Sequence, residues 1–208
     1  RAASLHDELN RANTRLDVLA STDTLTGLAN RRTAQLALGR ETARARRGAE
    51  RVAVIMCDID NFKLFNDENG HDCGDYILAK TAEIIAQSVR ATDLAARWGG
   101  EEFLVILGSG DPSRVVALAE RIRGRVEAAA WEYSEKTLSV TITLGVSICS
   151  SEITGEKVIS MADEAMYEGK RLGRNRVTVH ACEGILPAEF EADRGEGEGE
   201  IEELDPIE

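Results

Sequence analysis

A chain of 208 residues, 43% apolar and 30% charged, is long enough for one domain with a real core and too short for two of ordinary size. No apolar run approaches the roughly 20 residues a membrane-spanning helix needs, and no leader pattern opens the sequence. The net charge of −12 is local: residues 183–208 hold eleven acids against Arg194, leaving −2 for residues 1–182, so the acidity belongs to a tail and says little about partners.

Residues 1–20 read as a helix, with Leu5, Leu9, Ala12, Leu16 and Leu19 at intervals of 4, 3, 4 and 3. That is a heptad seam of about two repeats. The spacing leaves two readings open: a short amphipathic helix on the domain, or the end of a signalling coiled coil that pairs two chains. The chain opens on Arg1 and reads as a fragment of a longer polypeptide, any sensory or membrane-attached part lying upstream.

A loop over Ser21–Asn30 precedes an Arg-rich helix from about Arg31 to Arg47. The apolar run Val52–Cys57 reads as a central strand buried on both faces, and it ends abruptly in Asp58-Ile59-Asp60. Residues 73–89 carry Ile77, Ala82, Ile84, Ile85 and Val89 at helical spacing. Leu94–Trp98 and Phe103–Leu107 read as a hairpin, with Gly99 and Gly100 supplying the reversal. Asp111 and Pro112 read as N-cap and first-turn residues of a helix with Val115, Leu118, Ala119, Ile122 and Val126 on one face. Leu138 to Ile148 alternates with period two and predicts one strand of about ten residues. A helix from about Glu156 to Arg171, Gly173 as its terminator, and a last strand near Val177–His180 complete the pattern.

These elements predict an α/β (α+β) sandwich, with helices around a central, mostly antiparallel sheet. The domain spans 21–182, after the helix of 1–20 and before a Glu/Gly tail, 183–208, too poor in apolar residues to offset its chain entropy and so expected to be disordered. The tail's Gly195, Gly197 and Gly199 follow no strand and open no helix, so they are not read as a nucleotide loop. Cys57, Cys73, Cys149 and Cys182 lack zinc-like spacing and read as free thiols of a reducing cytoplasm.

Carboxylates carry the chemistry. Asp58 ends a buried strand, and Glu101 and Glu102 sit at a hairpin tip. If the two elements are sheet neighbours, their acids converge. Mg²⁺ typically takes one or two carboxylates and leaves phosphates and water to fill its octahedron. Two such metals could activate a hydroxyl and stabilise a leaving phosphate. The plain alternative is that surface turns are often acidic. Lys63, Lys170 and Arg174 have no obvious partner on a helix face. Lys170 and Arg174 either clamp phosphates or complement the dipole at a helix C-terminus. There is no GxxxxGK[ST] phosphate loop.

Together the blocks resemble the GGDEF-type diguanylate cyclases. Trp98-Gly99-Gly100-Glu101-Glu102-Phe103 is similar to the family hallmark in its GGEEF form. Asp23-x-Leu25-Thr26-Gly27-Leu28-x-Asn30-Arg31-Arg32 resembles its opening motif. So do Asp58-Ile59-Asp60-x-Phe62-Lys63-x-x-Asn66-Asp67, Gly70-His71-Asp72-x-Gly74-Asp75, Val140-Thr141-x-Thr143-x-Gly145-Val146 and Ala162-Asp163-x-Ala165-Met166-Tyr167-x-x-Lys170, closed by Gly173-Arg174-Asn175. The likeness covers residues 21–180 in the family's order.

The resemblance implies a palm-like nucleotidyl-cyclase fold and condensation of two GTP into cyclic diguanylate with release of pyrophosphate. It implies Asp58, the Ile59 carbonyl and Glu101 as ligands for Mg²⁺, two ions per site, with Mn²⁺ able to substitute. Glu101 would also accept the 3′-hydroxyl proton, supported by Glu102. Asn66 and Asp75 look like guanine readers, since an Asp accepts from the N1–H and N2 amine that adenine does not present. Lys63, Lys170, Arg174 and the backbone near Phe62 look like phosphate contacts. Asp60, Asp67, His71 and Asp72 read as fold residues. Catalysis would take a homodimer, because one domain binds one GTP. Arg90-Ala91-Thr92-Asp93 resembles the family's inhibitory product site, with Arg121 as an extra contact. Arg can grip guanine O6 and N7, and Asp can accept from N1 and N2. The alternatives are a non-catalytic receptor for cyclic diguanylate, and a cyclase of relaxed base choice, against which Asp75 argues. No nucleic-acid surface is expected, and no membrane contact in this fragment.

Overall fold

The computed structural model describes residues 21–182, apart from residues 49, 109 and 151. The expected helix of 1–20 and the expected disordered tail of 183–208 lie outside the described residues. The elements are α1 (Arg31–Gly48), β1 (Val52–Ile59), α2 (Phe62–Asn69), α3 (His71–Ser88), β2 (Leu94–Gly99), β3 (Glu102–Leu107), α4 (Pro112–Glu127), β4 (Trp131–Tyr133), β5 (Lys136–Leu138), β6 (Ile142–Cys149), α5 (Gly155–Arg171) and β7 (Val177–Ala181).

Five strands form one sheet in the order β2-β3-β1-β6-β7. Every pairing is antiparallel except β6 with β7, which is parallel. The sheet is therefore mostly antiparallel, as the alternation of elements predicts, and helices cover both faces. Alternate residues of β1 divide between the layers because side chains change face at each step. Ala53, Ile55, Cys57 and Ile59 join Ile77, Ile85, Val115 and Ile122 of α3 and α4. Val54 and Met56 join Leu38 of α1 and Val158, Ala162 and Met166 of α5. Coverage on both sides explains why all eight residues of β1 are buried.

Gly145 on β6 lets α5 approach closely. A Cβ there would collide with the backbone of Ala162 and Met166, so any side chain would push the helix off the sheet. The Ser147 hydroxyl donates to the Val158 carbonyl at 2.7 Å and fastens the same contact.

Two local expectations change, and one helix appears that the sequence reading did not include. The run from Leu138 to Ile148 is not one strand: β5 ends at Leu138 and pairs with β4 as a separate hairpin, and β6 begins at Ile142. Leu138 and Val140 are buried although neither lies in the main sheet, which is why the apolar alternation runs on across the break. Helix α2 has no amphipathic stripe to announce it, because Phe62 is its only buried residue. Asp111 stands at the N-cap of α4, but its side chain makes no capping hydrogen bond; its carbonyl accepts from Val115 N–H at 3.0 Å.

Candidate active site

The end of β1 is where polar groups replace the core. Asp58 pairs in register with Glu102 of β3 on one side and Thr143 of β6 on the other. All three continue the α5 face of the sheet, since paired residues point to the same side. Asp58 is only 6% exposed, and burial pushes its carboxyl up to about 6, against the opposing pull of Lys170 and with further elevation from Glu101 and Glu102. Lys170, from the last turn of α5, places its Nζ 2.8 Å from Asp58 Oδ2. The sequence suggested no partner for Lys170; the folded chain supplies one.

The hairpin tip is held from two directions. Gly100 takes φ +43°, a left-handed value that favours glycine. Arg97 donates from Nε and Nη2 to the Gly100 carbonyl, at 3.0 and 2.8 Å. Its Nη1 reaches both oxygens of Asp23, at 3.4 and 3.3 Å. Burial works to raise the Asp23 carboxyl, but bonds from Thr26 and then Arg97 outweigh it and hold it low. Ile59 N–H donates to the Glu101 carbonyl at 3.4 Å, tying the tip to the end of β1. Glu102 is raised by burial and then by Asp163, while Lys170 and Arg31 pull it down. The Arg31 guanidinium itself lies 4.4 Å from the centre of the Trp98 ring.

Asp58, Glu101 and Glu102 are therefore electrostatic neighbours, as the convergence argument requires. Among the described residues no three His, Cys, Asp or Glu side chains form a metal cluster. The donors present fit Mg²⁺ nonetheless. They are hard oxygens, burial disfavours the charged form of Asp58 even beside Lys170, and two acids suffice for an ion that takes its other ligands from phosphate and water.

On the other side of β1, Asn61 at φ 55° turns the chain into α2. Phe62 is buried and Lys63 exposed in its first turn. Asn66 Oδ1 is buried with no hydrogen-bond partner. It faces Gly74 of α3, where a Cβ would collide with Asn66 Oδ1. Asp75 follows and is exposed. An unpaired buried acceptor costs about 1–3 kcal/mol, so Asn66 is poised to receive a donor.

Asp60, read from sequence only as a fold residue, is 6% exposed and accepts from the hydroxyls of Thr141 at 2.7 Å and Thr143 at 2.6 Å. Asp67, His71 and Asp72, grouped with it as fold residues, are exposed, so no burial supports that role. Arg174 lies beyond α5 at φ +65°.

The Arg90–Asp93 segment is a separate corner. It is not a surface ion pair: Asp93 accepts from the backbone N–H of Arg90 and of Gly108, both at 3.2 Å, and Arg90 is exposed. Arg121 of α4 donates to the Ser88 carbonyl at 2.5 Å, beside this turn.

Sequence reasoning assigned no role to Arg97 or Arg31. Arg97 adjoins the hallmark but also reaches Asp23, and Arg31 lies in the opening motif but stands over Trp98; no local pattern announces contacts between segments so far apart in the chain.

Comparison with known proteins gives a consistent picture. A family model described as "Diguanylate cyclase, GGDEF domain" matches residues 20–176. The chain is 45% identical over 131 residues to Diguanylate cyclase A of Treponema denticola, covering 62% of this chain and 35% of that protein. It is 36% identical over 176 residues to Diguanylate cyclase DosC of Escherichia coli, covering 84% and 37%. The chain thus spans little more than a third of these relatives. Among solved structures, the coiled coil and GGDEF domain of DgcB from Caulobacter crescentus, in complex with c-di-GMP, superposes with a TM-score of 0.82 at 32% identity, covering 86% of this chain and 95% of that one.

Proposed function

Since this chain belongs to the GGDEF diguanylate cyclase family, we propose that it condenses two GTP molecules into cyclic diguanylate and two pyrophosphates. The observation that carries the proposal is the juxtaposition of Asp58 with the Glu101–Glu102 tip, close enough for both acids to raise the Asp58 carboxyl.

Asp58, Glu101 and the Ile59 carbonyl would hold Mg²⁺, with Mn²⁺ as a substitute. When bound, the metal supplies positive charge to the triphosphate as pyrophosphate departs. The remaining work falls to the chain itself. Asn66 Oδ1 and the Asp75 carboxylate accept from guanine, and a base without those donors leaves them unpaired. Lys63, Lys170, Arg174 and the first N–H groups of α2 grip phosphate, the helix N-terminus being suited to anions. Glu101 accepts the 3′-hydroxyl proton, and Glu102 supports its orientation.

One domain holds one GTP, so two must face each other, with the 3′-oxygen of one nucleotide in line with the α-phosphorus of the other. Orientation of this kind can supply effective molarities of roughly 10⁵ M or more. The heptad seam of residues 1–20 serves that pairing, a reading supported by the coiled coil of the Caulobacter relative. Arg90 and Asp93, with Arg121, bind product as an inhibitor, a reading supported by the c-di-GMP complex of the same relative. Among the described residues no helix is long and apolar enough to cross a membrane, and the domain works in the cytoplasm, where GTP is available.

Incubation with GTP and Mg²⁺ and chromatographic resolution of the nucleotides tests the function. Cyclic diguanylate and pyrophosphate are expected. Binding of cyclic diguanylate without turnover, at protein concentrations high enough to dimerise, would instead make the chain a receptor.

A further inference from the structure

Asp60 sits at the centre of a set of contacts that the reaction does not require of it. Its Oδ2 accepts from the Thr141 hydroxyl at 2.7 Å and from the Asn175 backbone N–H at 3.0 Å. Its Oδ1 accepts from the Thr143 hydroxyl at 2.6 Å, and Thr143 Oγ1 in turn accepts from Asn175 N–H at 3.1 Å. A buried carboxylate that receives three donors is satisfied and stiff, because losing any partner leaves a charge short of hydrogen bonds in a poorly solvated place.

The chain it grips is strained. Gly173, Arg174 and Asn175 all have positive φ, at 116°, 65° and 46°. For Arg174 and Asn175 this conformation is costly, and it persists only where the surroundings impose it. The surroundings here are specific. Arg174 N–H donates to the Gly169 carbonyl at 3.0 Å, and Arg176 Nε donates to the Arg174 carbonyl at 3.3 Å. The Asn175 side chain accepts from Arg123 Nη1 at 3.0 Å and donates to Glu127 Oε1 at 2.6 Å. The N–H groups of Arg174 and Asn175, the Arg174 carbonyl and the Asn175 side chain are thus engaged, while the Arg174 guanidinium is exposed and has no ion-pair partner among the described residues.

We propose that Asp60 is a positioning residue for phosphate binding: through Thr143 and the Asn175 N–H it holds the strained turn that aims Arg174 at the nucleotide. The inference rests on the reading of Arg174 as a phosphate contact. It assigns a reason to the second acid of Asp58-Ile59-Asp60: the first faces the metal and the second fixes a cation on a segment far along the chain. Asp60 touches neither nucleotide nor metal in this arrangement and acts only through the turn.

A double-mutant cycle on nucleotide affinity tests this, using calorimetry with a non-hydrolysable GTP analogue and Mg²⁺. Arg174→Ala is expected to weaken binding about tenfold, as loss of a charge-assisted contact does. Asp60→Ala and the isosteric Thr143→Val should each weaken it by a similar factor, and should raise the KM for GTP more than they lower kcat. In the Arg174→Ala background neither should weaken binding further. A multiplied loss of about a hundredfold in the double variant would overturn the positioning role, because Asp60 would then act independently of Arg174. Should Asp60→Ala fail to fold, Thr143→Val completes the same cycle. Unchanged affinity in Arg174→Ala alone would instead remove the phosphate role of Arg174, and the positioning role with it.

Discussion

Lys170 Nζ lies 2.8 Å from Asp58 Oδ2, joining the residue read as a phosphate contact to the residue read as a metal ligand. The lysine partly compensates Asp58 as a cation would, and Mg²⁺ and triphosphate would compete for the two halves of the pair. Lys170→Met should therefore push the Asp58 carboxyl above about 6, because its burial and the charges of Glu101 and Glu102 would act unopposed. Carbon-13 titration of the labelled aspartates measures this. A midpoint at or below the parent value would show that the pair is not coupled.

The raised carboxyl also makes stability depend on pH. Asp58 moves from 3.8 to about 6 on folding, so the folded state holds its proton more tightly. Stability from this group is complete below about pH 4 and is lost as pH rises through about 6. At pH 7 the ionised group costs the ligand-free fold at most about 3 kcal/mol, at 1.36 kcal/mol per unit. Asp58→Asn should then make the ligand-free protein more stable than the parent at pH 7, by less than that limit since Lys170 loses its partner. The difference should vanish near pH 4. Urea unfolding at the two pH values is the measurement, and a less stable variant at pH 7 would contradict the argument.

Glu101→Ala should lower turnover on the order of 100-fold or more with little change in melting temperature, because Glu101 is only half-buried at a tip that Arg97 holds through the neighbouring backbone. Steady-state rates at saturating GTP decide the matter, and near-normal turnover would refute its role.

Gly74→Ala places a methyl group where Asn66 Oδ1 sits. Overpacking of this kind typically costs about 1–3 kcal/mol, and displacement of Asn66 should raise the KM for GTP about tenfold with a smaller change in kcat. Thermal melts and kinetics on one preparation separate the two effects. An unaltered KM in a destabilised variant would remove Asn66 from the guanine site.

Arg90→Ala should abolish inhibition by added cyclic diguanylate while leaving the initial rate intact. Asp93 would keep its backbone bonds from Gly108 and Arg90, so the turn itself should survive. Inhibition curves of parent and variant that coincide would sink the assignment of this corner.

Much of the fold is legible in the sequence where burial is regular. The run Val52–Cys57 has no polar alternation because helices cover both sides, and Val115, Leu118, Ala119, Ile122 and Val126 form one stripe because α4 is covered on one side only. Legibility fails where burial and regular structure part company. Leu138 and Val140 look like the start of β6 because they are apolar, yet neither belongs to a strand of the main sheet; they are apolar because they pack into its core. Helix α2 escapes notice because it buries a single residue.

The sequence by itself determined most of the element types, α2 and the β5–β6 break apart, and the acids at the end of β1 and at the hairpin tip, since a strand's burial and a turn's glycines act within a few residues. Only the tertiary structure decided which distant partner each charged group meets. Arg97 meets Asp23 across 74 residues of chain, and Asp60 holds Asn175 across 115. Such pairings follow from strand order and from how closely α5 can lie on Gly145. The choice of a distant partner for a charged group is therefore set by the packing of the core and leaves no trace in local spacing.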